Sequence, residues 1–137
     1  DEGRLYISLN TGAEWTQQAQ VKSISLRSLY FFDRFNGWVT GASNTLAKST
    51  NEGITWYDFD PSNGFITDIW HQVYFIDEER GWLVGEEGRI YRSEDGGIGW
   101  TFEFIDTKNT LLDIHMINGQ LGWIVGEEGT LLKYALE

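Results

Sequence analysis

Gly37-Trp38-Val39-Thr40-Gly41, Gly81-Trp82-Leu83-Val84-Gly85 and Gly122-Trp123-Ile124-Val125-Gly126 repeat one pattern, at spacings of 44 and then 41 residues. A second pattern keeps step with it: Ser8-Leu9-Asn10-Thr11-Gly12-Ala13-Glu14-Trp15, Ser49-Thr50-Asn51-Glu52-Gly53-Ile54-Thr55-Trp56 and Ser93-Glu94-Asp95-Gly96-Gly97-Ile98-Gly99-Trp100. Two interleaved patterns with one period of just over 40 residues define a repeat unit, and the rest of the chain is read from it.

Each unit divides into four strands. Leu29-Tyr30-Phe31-Phe32, Val73-Tyr74-Phe75-Ile76 and Ile114-His115-Met116-Ile117 are apolar on both alternating faces, as in a strand covered on both sides, and form the innermost strand. The Gly-Trp segment follows as the second. Arg4-Leu5-Tyr6-Ile7, Leu46-Ala47-Lys48, Arg89-Ile90-Tyr91-Arg92 and Thr130-Leu131-Leu132-Lys133-Tyr134 supply the third, and the fourth begins at the Trp of the second pattern. The turn before the third strand is Glu86-Glu87-Gly88, Glu127-Glu128-Gly129 or Asp1-Glu2-Gly3, and Asn44 stands where the remaining unit would have Gly. Asn is the non-Gly residue that best tolerates positive φ, so a tight hairpin with a left-handed residue is expected there. Four-stranded units of this length are blades of a β-propeller. A β-sandwich would not keep both patterns in register, and β-helix coils are much shorter.

The expected fold is therefore all-β: a propeller of four-stranded antiparallel blades, about three per chain. It forms a single domain over residues 1–137, with repeats at approximately 3–43, 44–87 and 88–128 and a closing strand at 129–137. Composition agrees: 16 Gly against one Pro (Pro61), 41% hydrophobic residues and 21 aromatics suit short strands, tight turns and a packed core. A formal net charge of −11 repels a phosphate backbone, so nucleic acid is a poor partner. No apolar run approaches the roughly 18 residues of a membrane span, and Asp1-Glu2-Gly3-Arg4 does not read as a signal peptide. With no Cys and only His71 and His115, disulfides and thiolate or multi-histidine zinc sites are excluded, and no metal or other cofactor is expected.

The Ser-x-Asn/Asp-x-Gly-x-x-Trp pattern resembles the Asp-box, or bacterial neuraminidase repeat. Coupled to the inner strand and the Gly-Trp-apolar-x-Gly strand, it resembles the photosystem II stability and assembly factor type of that repeat over essentially the whole chain. The box at Ser93 departs in having Gly97-Ile98-Gly99 before Trp100. The resemblance implies a binding scaffold whose loops contact a polypeptide, and it favours an exported compartment. In each box the oxygen of Asn10, Asn51 or Asp95 is expected to accept from backbone N–H groups. Gly12, Gly53 or Gly97 supplies the unusual φ, and Trp15, Trp56 or Trp100 packs under the turn. With Ser8, Ser49 and Ser93, these residues read as staples rather than as a calcium or sugar site. Trp38, Trp82 and Trp123 are expected to be buried between blades.

Because sialidases carry Asp-boxes, glycoside hydrolysis is the enzymatic alternative, and a carbohydrate-binding propeller is its non-catalytic counterpart. A sialidase-like site needs converging arginines, a Tyr nucleophile with a Glu partner, and an acid. Only Arg27 lies at the start of an inner strand, and its repeat equivalents are His71 and Leu112. No catalytic residues are assigned, and the chain is read as non-enzymatic. Positions that break the repeat mark the candidate binding surface: Trp70 and His71 after the longest connection, Asp58 to Ile69, together with Arg27, Asn109 and Asp113 at comparable places, all near one channel mouth. The acidic charge suggests a protein partner with a basic surface. Three blades are too few for a closed ring. Either the chain is part of a longer propeller, or, as preferred here, two copies close head to tail into a six-bladed homodimer.

Overall fold

The structure is a computed structural model that describes residues 2–21, 24–60 and 69–135. Most of the long Asp58–Ile69 connection lies outside the described residues. Thirteen strands form among them: β1 (Arg4–Ile7), β2 (Thr16–Gln20), β3 (Leu26–Phe31), β4 (Gly37–Gly41), β5 (Thr45–Ser49), β6 (Tyr57–Phe59), β7 (Trp70–Phe75), β8 (Gly81–Gly85), β9 (Ile90–Ser93), β10 (Thr101–Glu103), β11 (Leu111–Asn118), β12 (Leu121–Gly126) and β13 (Leu131–Ala135). A single 3₁₀ turn, Glu86–Gly88, is the helical content of the described chain. The strands pair antiparallel into four sheets: β1-β2, β3-β4-β5-β6, β7-β8-β9-β10 and β11-β12-β13. Two blades are thus four-stranded, flanked by an outer pair at one end and an inner trio at the other.

Local chemistry sets the hairpins. Between the second and third strands, two successive residues adopt positive φ: Ser43 and Asn44, Glu87 and Gly88, Glu128 and Gly129. This is the primed turn whose twist matches the flanking strands, and Asn44 occupies the left-handed position at φ 57°. The Asp-boxes repeat one bonding pattern. Ser8, Ser49 and Ser93 Oγ accept from the N–H of Gly12, Gly53 and Gly97 at 2.7, 2.9 and 2.8 Å. Asn10, Asn51 and Asp95 Oδ1 each accept from the N–H four residues on at 2.9 Å. The indole N–H of Trp15, Trp56 and Trp100 donates back to the Gly carbonyl at 3.2, 2.9 and 3.1 Å. The departure at Ser93 leaves this pattern intact, because in all three bonds Gly97 and Gly99 take part only through backbone N–H or C=O, groups that any residue supplies.

The core lies between sheets, as blades too thin to bury their own faces require. Trp38 and Leu46 of the first four-stranded sheet pack on Val73, Phe75, Leu83 and Tyr91 of the second. Trp38 stacks on Phe75 with ring centroids 5.3 Å apart and planes at 10°, and meets Trp100 edge-on at 6.2 Å. Lys48 closes the contact, its ammonium 5.0 Å above the Trp38 ring while donating to the Gly96 carbonyl at 2.8 Å. Trp82, Val84 and Ile90 pack likewise on Ile114, Met116 and Ile124 of the third sheet. The expected burial of the Gly-Trp residues is met at Trp38 (2% exposed) and Trp82 (0%) and corrected at Trp123, which is 37% exposed. The cause is positional: Trp123 faces away from the second blade, and no further sheet of the described chain covers it.

Candidate functional site

The inner strands β3, β7 and β11 stand side by side. Each pairs with its Gly-Trp strand through the same irregularity. Leu26 faces Gly41 and Ser28 faces Thr40, so Arg27 is extra; His71 and Leu112 are extra in the same way in β7 and β11. A β-bulge bends its strand and re-aims the side chain it inserts. All three lie at the end of the sheets that carries the second-to-third-strand turns, joined there by Ala42 N–H to the Ser25 carbonyl (3.0 Å), Glu86 N–H to Ile69 (3.2 Å) and Glu127 N–H to Thr110 (2.9 Å). The Asp-boxes occupy the opposite end.

The five residues singled out in the sequence fall differently around this row. Arg27 and Asp113 are exposed, and the Asp113 carboxylate accepts from the Ile114 N–H at 2.9 Å. His71 is half-buried, and its Nε2 lies buried without a protein partner. Burial, helped by the Arg27 charge, holds its pKa below the usual imidazole range, against the opposing pull of Glu86 and Glu127. One imidazole on β7 is thus in electrostatic reach of groups from three sheets. Asn109 is a strut: its carbonyl accepts from the Gly88 N–H at 3.0 Å, and its amide donates to Thr130 Oγ1 at 2.9 Å, tying the second sheet's turn to the third's.

Trp70 is a correction. It is 0% exposed, meets Tyr91 edge-on at 5.4 Å and donates its indole N–H to Asn44 Oδ1 at 2.8 Å. It can present no ring to a partner or to a sugar. Its repeat equivalents, Leu26 and Leu111, are apolar, and that was the signal in the sequence that the position belongs to the core.

Sequence reasoning passed over a row one step along the inner strands. Tyr30 and Tyr74 rings approach to 5.3 Å, and Tyr74 and His115 to 5.6 Å. Each tyrosine hydroxyl donates to a backbone carbonyl of the next sheet: Tyr30 to Phe75, and Tyr74 to Met116 at 3.3 Å. The Ser28 hydroxyl donates to the side-chain amide oxygen Oε1 of Gln72 in the same register. These bonds fix the rotation of one blade against the next and hold the bulge row in place. The arginines that a sialidase-like site would gather are instead dispersed in local pairs, Arg34 with Glu52 (3.2 Å), Arg80 with Asp77 (2.6 Å) and Arg89 with Glu87 (2.9 Å), while Arg4 pairs with Glu2 and Arg92 with Glu94.

Solved structures that share this fold include two of YCF48. YCF48 from Cyanidioschyzon merolae is 21% identical with a TM-score of 0.81, the match covering 98% of this chain and 45% of that one. YCF48 bound to D1 peptide is 19% identical with a TM-score of 0.81, over 99% of this chain and 45% of that one. At these identities the likeness is one of fold, and the chain spans under half the length of either. No curated protein sequence matches. No helix of the described residues is long and apolar enough to cross a membrane. The profile of one family, however, matches residues 2–93 and again 69–135. The chain belongs to the family of the photosynthesis system II assembly factor YCF48.

Proposed function

We propose that the chain is a non-catalytic, protein-binding scaffold whose contact surface is the bulged end of its inner strands, around Arg27, His71, Asn109 and Asp113. The observation that carries this reading is the row of three bulges, which aims one side chain from each sheet at the same end of the fold. A relative of the same fold is described as bound to D1 peptide, and this supports a polypeptide as the ligand class. The chemistry around the row is mainly acidic, with Glu86, Glu87, Glu127, Glu128 and Asp113 outnumbering Arg27 and Arg89, within a chain of net charge −11. The ligand this end suits is an extended segment carrying Lys or Arg, drawn in by long-range attraction and held by short polar contacts.

Fluorescence anisotropy with labelled, unstructured peptides of equal length, one basic and one acidic, tests the reading. The basic peptide binds and weakens as salt rises; the acidic one does not bind. Combining His71→Ala with Asp113→Ala weakens the basic peptide about tenfold, the equivalent of roughly 1.4 kcal/mol. Equal binding of both peptides, or none by either, refutes it.

A further inference from the structure

The outermost strand of the second four-stranded sheet and the residues after it carry two aromatic rings that the repeat does not require. Phe102 faces Tyr91 across β10 and β9, where Asp58 faces Ala47 and Gln17 faces Tyr6 in the two preceding units. By the same spacing Phe104 takes the place of Asp60 and Ala19. These equivalents are polar or small, so neither ring is needed to build a blade. The sheet has a neighbour packed on each face, yet Phe102 is 49% exposed and Phe104 80%. Both rings line a mainly apolar cleft of about 360 Å³, together with Glu87, Gly88, Asp106 and Lys108. Hydrogen bonds fix its walls. Gly88 N–H donates to the Asn109 carbonyl at 3.0 Å and Asn109 N–H to Thr107 Oγ1 at 3.2 Å, strapping the connection after Phe104 to the Glu86–Gly88 turn. The approach is close enough that a Cβ added at Gly88, whose φ is 68°, would come within 2.1 Å of the Thr107 carbonyl oxygen. Phe102 also continues a ladder of rings out of the core, 5.4 Å from Tyr91, which lies 5.4 Å from the buried Trp70.

We infer that this cleft takes one large apolar side chain of the bound polypeptide, so that the segment recognised is a basic run flanked by an aromatic or aliphatic anchor. The inference rests on the bulged end being the polypeptide surface, and one turn joins the two places. Glu86 of that turn is in electrostatic reach of His71, while Glu87 and Gly88 line the cleft. Charge selects the occupant. Glu86, Glu87 and Asp106 outnumber Lys108 and Arg89 around the cleft, which suits an apolar side chain carried between Lys or Arg residues. The same carboxylates repel an anionic lipid surface. Binding energy concentrates in a few buried apolar anchors ringed by weaker polar contacts. The basic run therefore governs encounter and salt dependence, and burial of the anchor governs how long the complex lasts.

Fluorescence anisotropy with two labelled, unstructured peptides of the same basic run, one with Phe at both ends and the other with Ser at both ends, tests this. Two anchors make the result independent of the direction in which the peptide lies. The Phe peptide binds about tenfold tighter than the Ser peptide, as burial of one aromatic side chain provides. Phe104→Ala, at a position 80% exposed, removes most of that advantage and leaves the affinity of the Ser peptide unchanged, whereas Phe104→Leu keeps it. Ile98→Ala, at a position 74% exposed at the Asp-box end, alters neither peptide. Unchanged circular dichroism confirms that the variants fold. With benzoylphenylalanine in place of the terminal Phe residues, ultraviolet cross-links fall on residues 102–108. Equal affinities of the two peptides overturn the inference and leave the bulged end standing as the binding surface. An advantage that survives Phe104→Ala, or cross-links outside the cleft, overturns it as well. Binding by the Phe peptide alone, lost in Phe104→Ala, supports the cleft and refutes the bulged end, and binding by neither peptide refutes both.

Discussion

Replacing the box glycine by alanine at three equivalent positions separates the cost of a left-handed backbone from the cost of pushing one blade off the next. Gly12, Gly53 and Gly97 have φ of 88°, 77° and 80°, so each substitution carries similar conformational strain, of roughly 1 to 2 kcal/mol. Their surroundings differ. An added Cβ at Gly12 has its nearest neighbour at 3.9 Å and at Gly53 at 3.3 Å, whereas at Gly97 it meets the Trp38 ring at 2.4 Å. Trp38 is clamped between Phe75, Trp100 and Lys48 and has nowhere to retreat, so overpacking adds a further 1 to 3 kcal/mol or so at Gly97 alone. Gly97→Ala should cost about 2 to 5 kcal/mol, and Gly12→Ala about 1 to 2, in urea unfolding followed by tryptophan fluorescence. If the two fall within about 0.5 kcal/mol of each other, the docking of Trp38 against the second box is wrong.

Trp70→Phe should destabilise by about 1 kcal/mol through loss of the bond to Asn44, without affecting peptide affinity; an affinity loss with intact stability would return Trp70 to the binding surface. His71 titrates below its ordinary value in the folded chain, so the unfolded chain takes up this proton first as acidity rises. Its contribution to stability is therefore complete above the unfolded value near 6.5 and is lost as pH falls from there through the lowered folded value. His71→Gln should flatten the melting temperature between about pH 7 and 5, and parallel profiles for variant and parent would contradict this. The Gly99 N–H, with the Ser93 hydroxyl, holds the Asp95 carboxylate below the usual carboxylate range. Its stabilisation is present above that range and lost below it, so Asp95→Ala should destabilise at pH 7 and become neutral in strong acid, as acid titration of the unfolding midpoint will show.

The architecture was legible because the repeat is dense in residues that have few structural substitutes. Trp at the second strand, Gly in the box, and Asn44 in place of a turn Gly each answer one local demand, and their common period yields blades without knowledge of any contact. The bulges were not legible. An extra residue in a strand shows only when its partner strand is paired against it, so Arg27, His71 and Leu112 look in sequence like ordinary members of an alternating strand. Trp70 was misplaced because its singularity outweighed the apolar character of Leu26 and Leu111 at the same position. Trp123 shows the limit of arguing burial from repetition: the pattern specifies the face a side chain occupies, and only the neighbouring sheet decides whether that face is covered.

The most direct test of the functional account is a map of backbone amide shifts as a basic, unstructured peptide is titrated into the isotope-labelled chain. The account predicts shifts concentrated at Arg27, His71, Asn109 and Asp113 and in the adjoining turns at Glu86–Gly88 and Glu127–Gly129, with the three Asp-boxes at the opposite end unmoved. Shifts centred on the boxes, or saturation with no change along the bulge row, would contradict it.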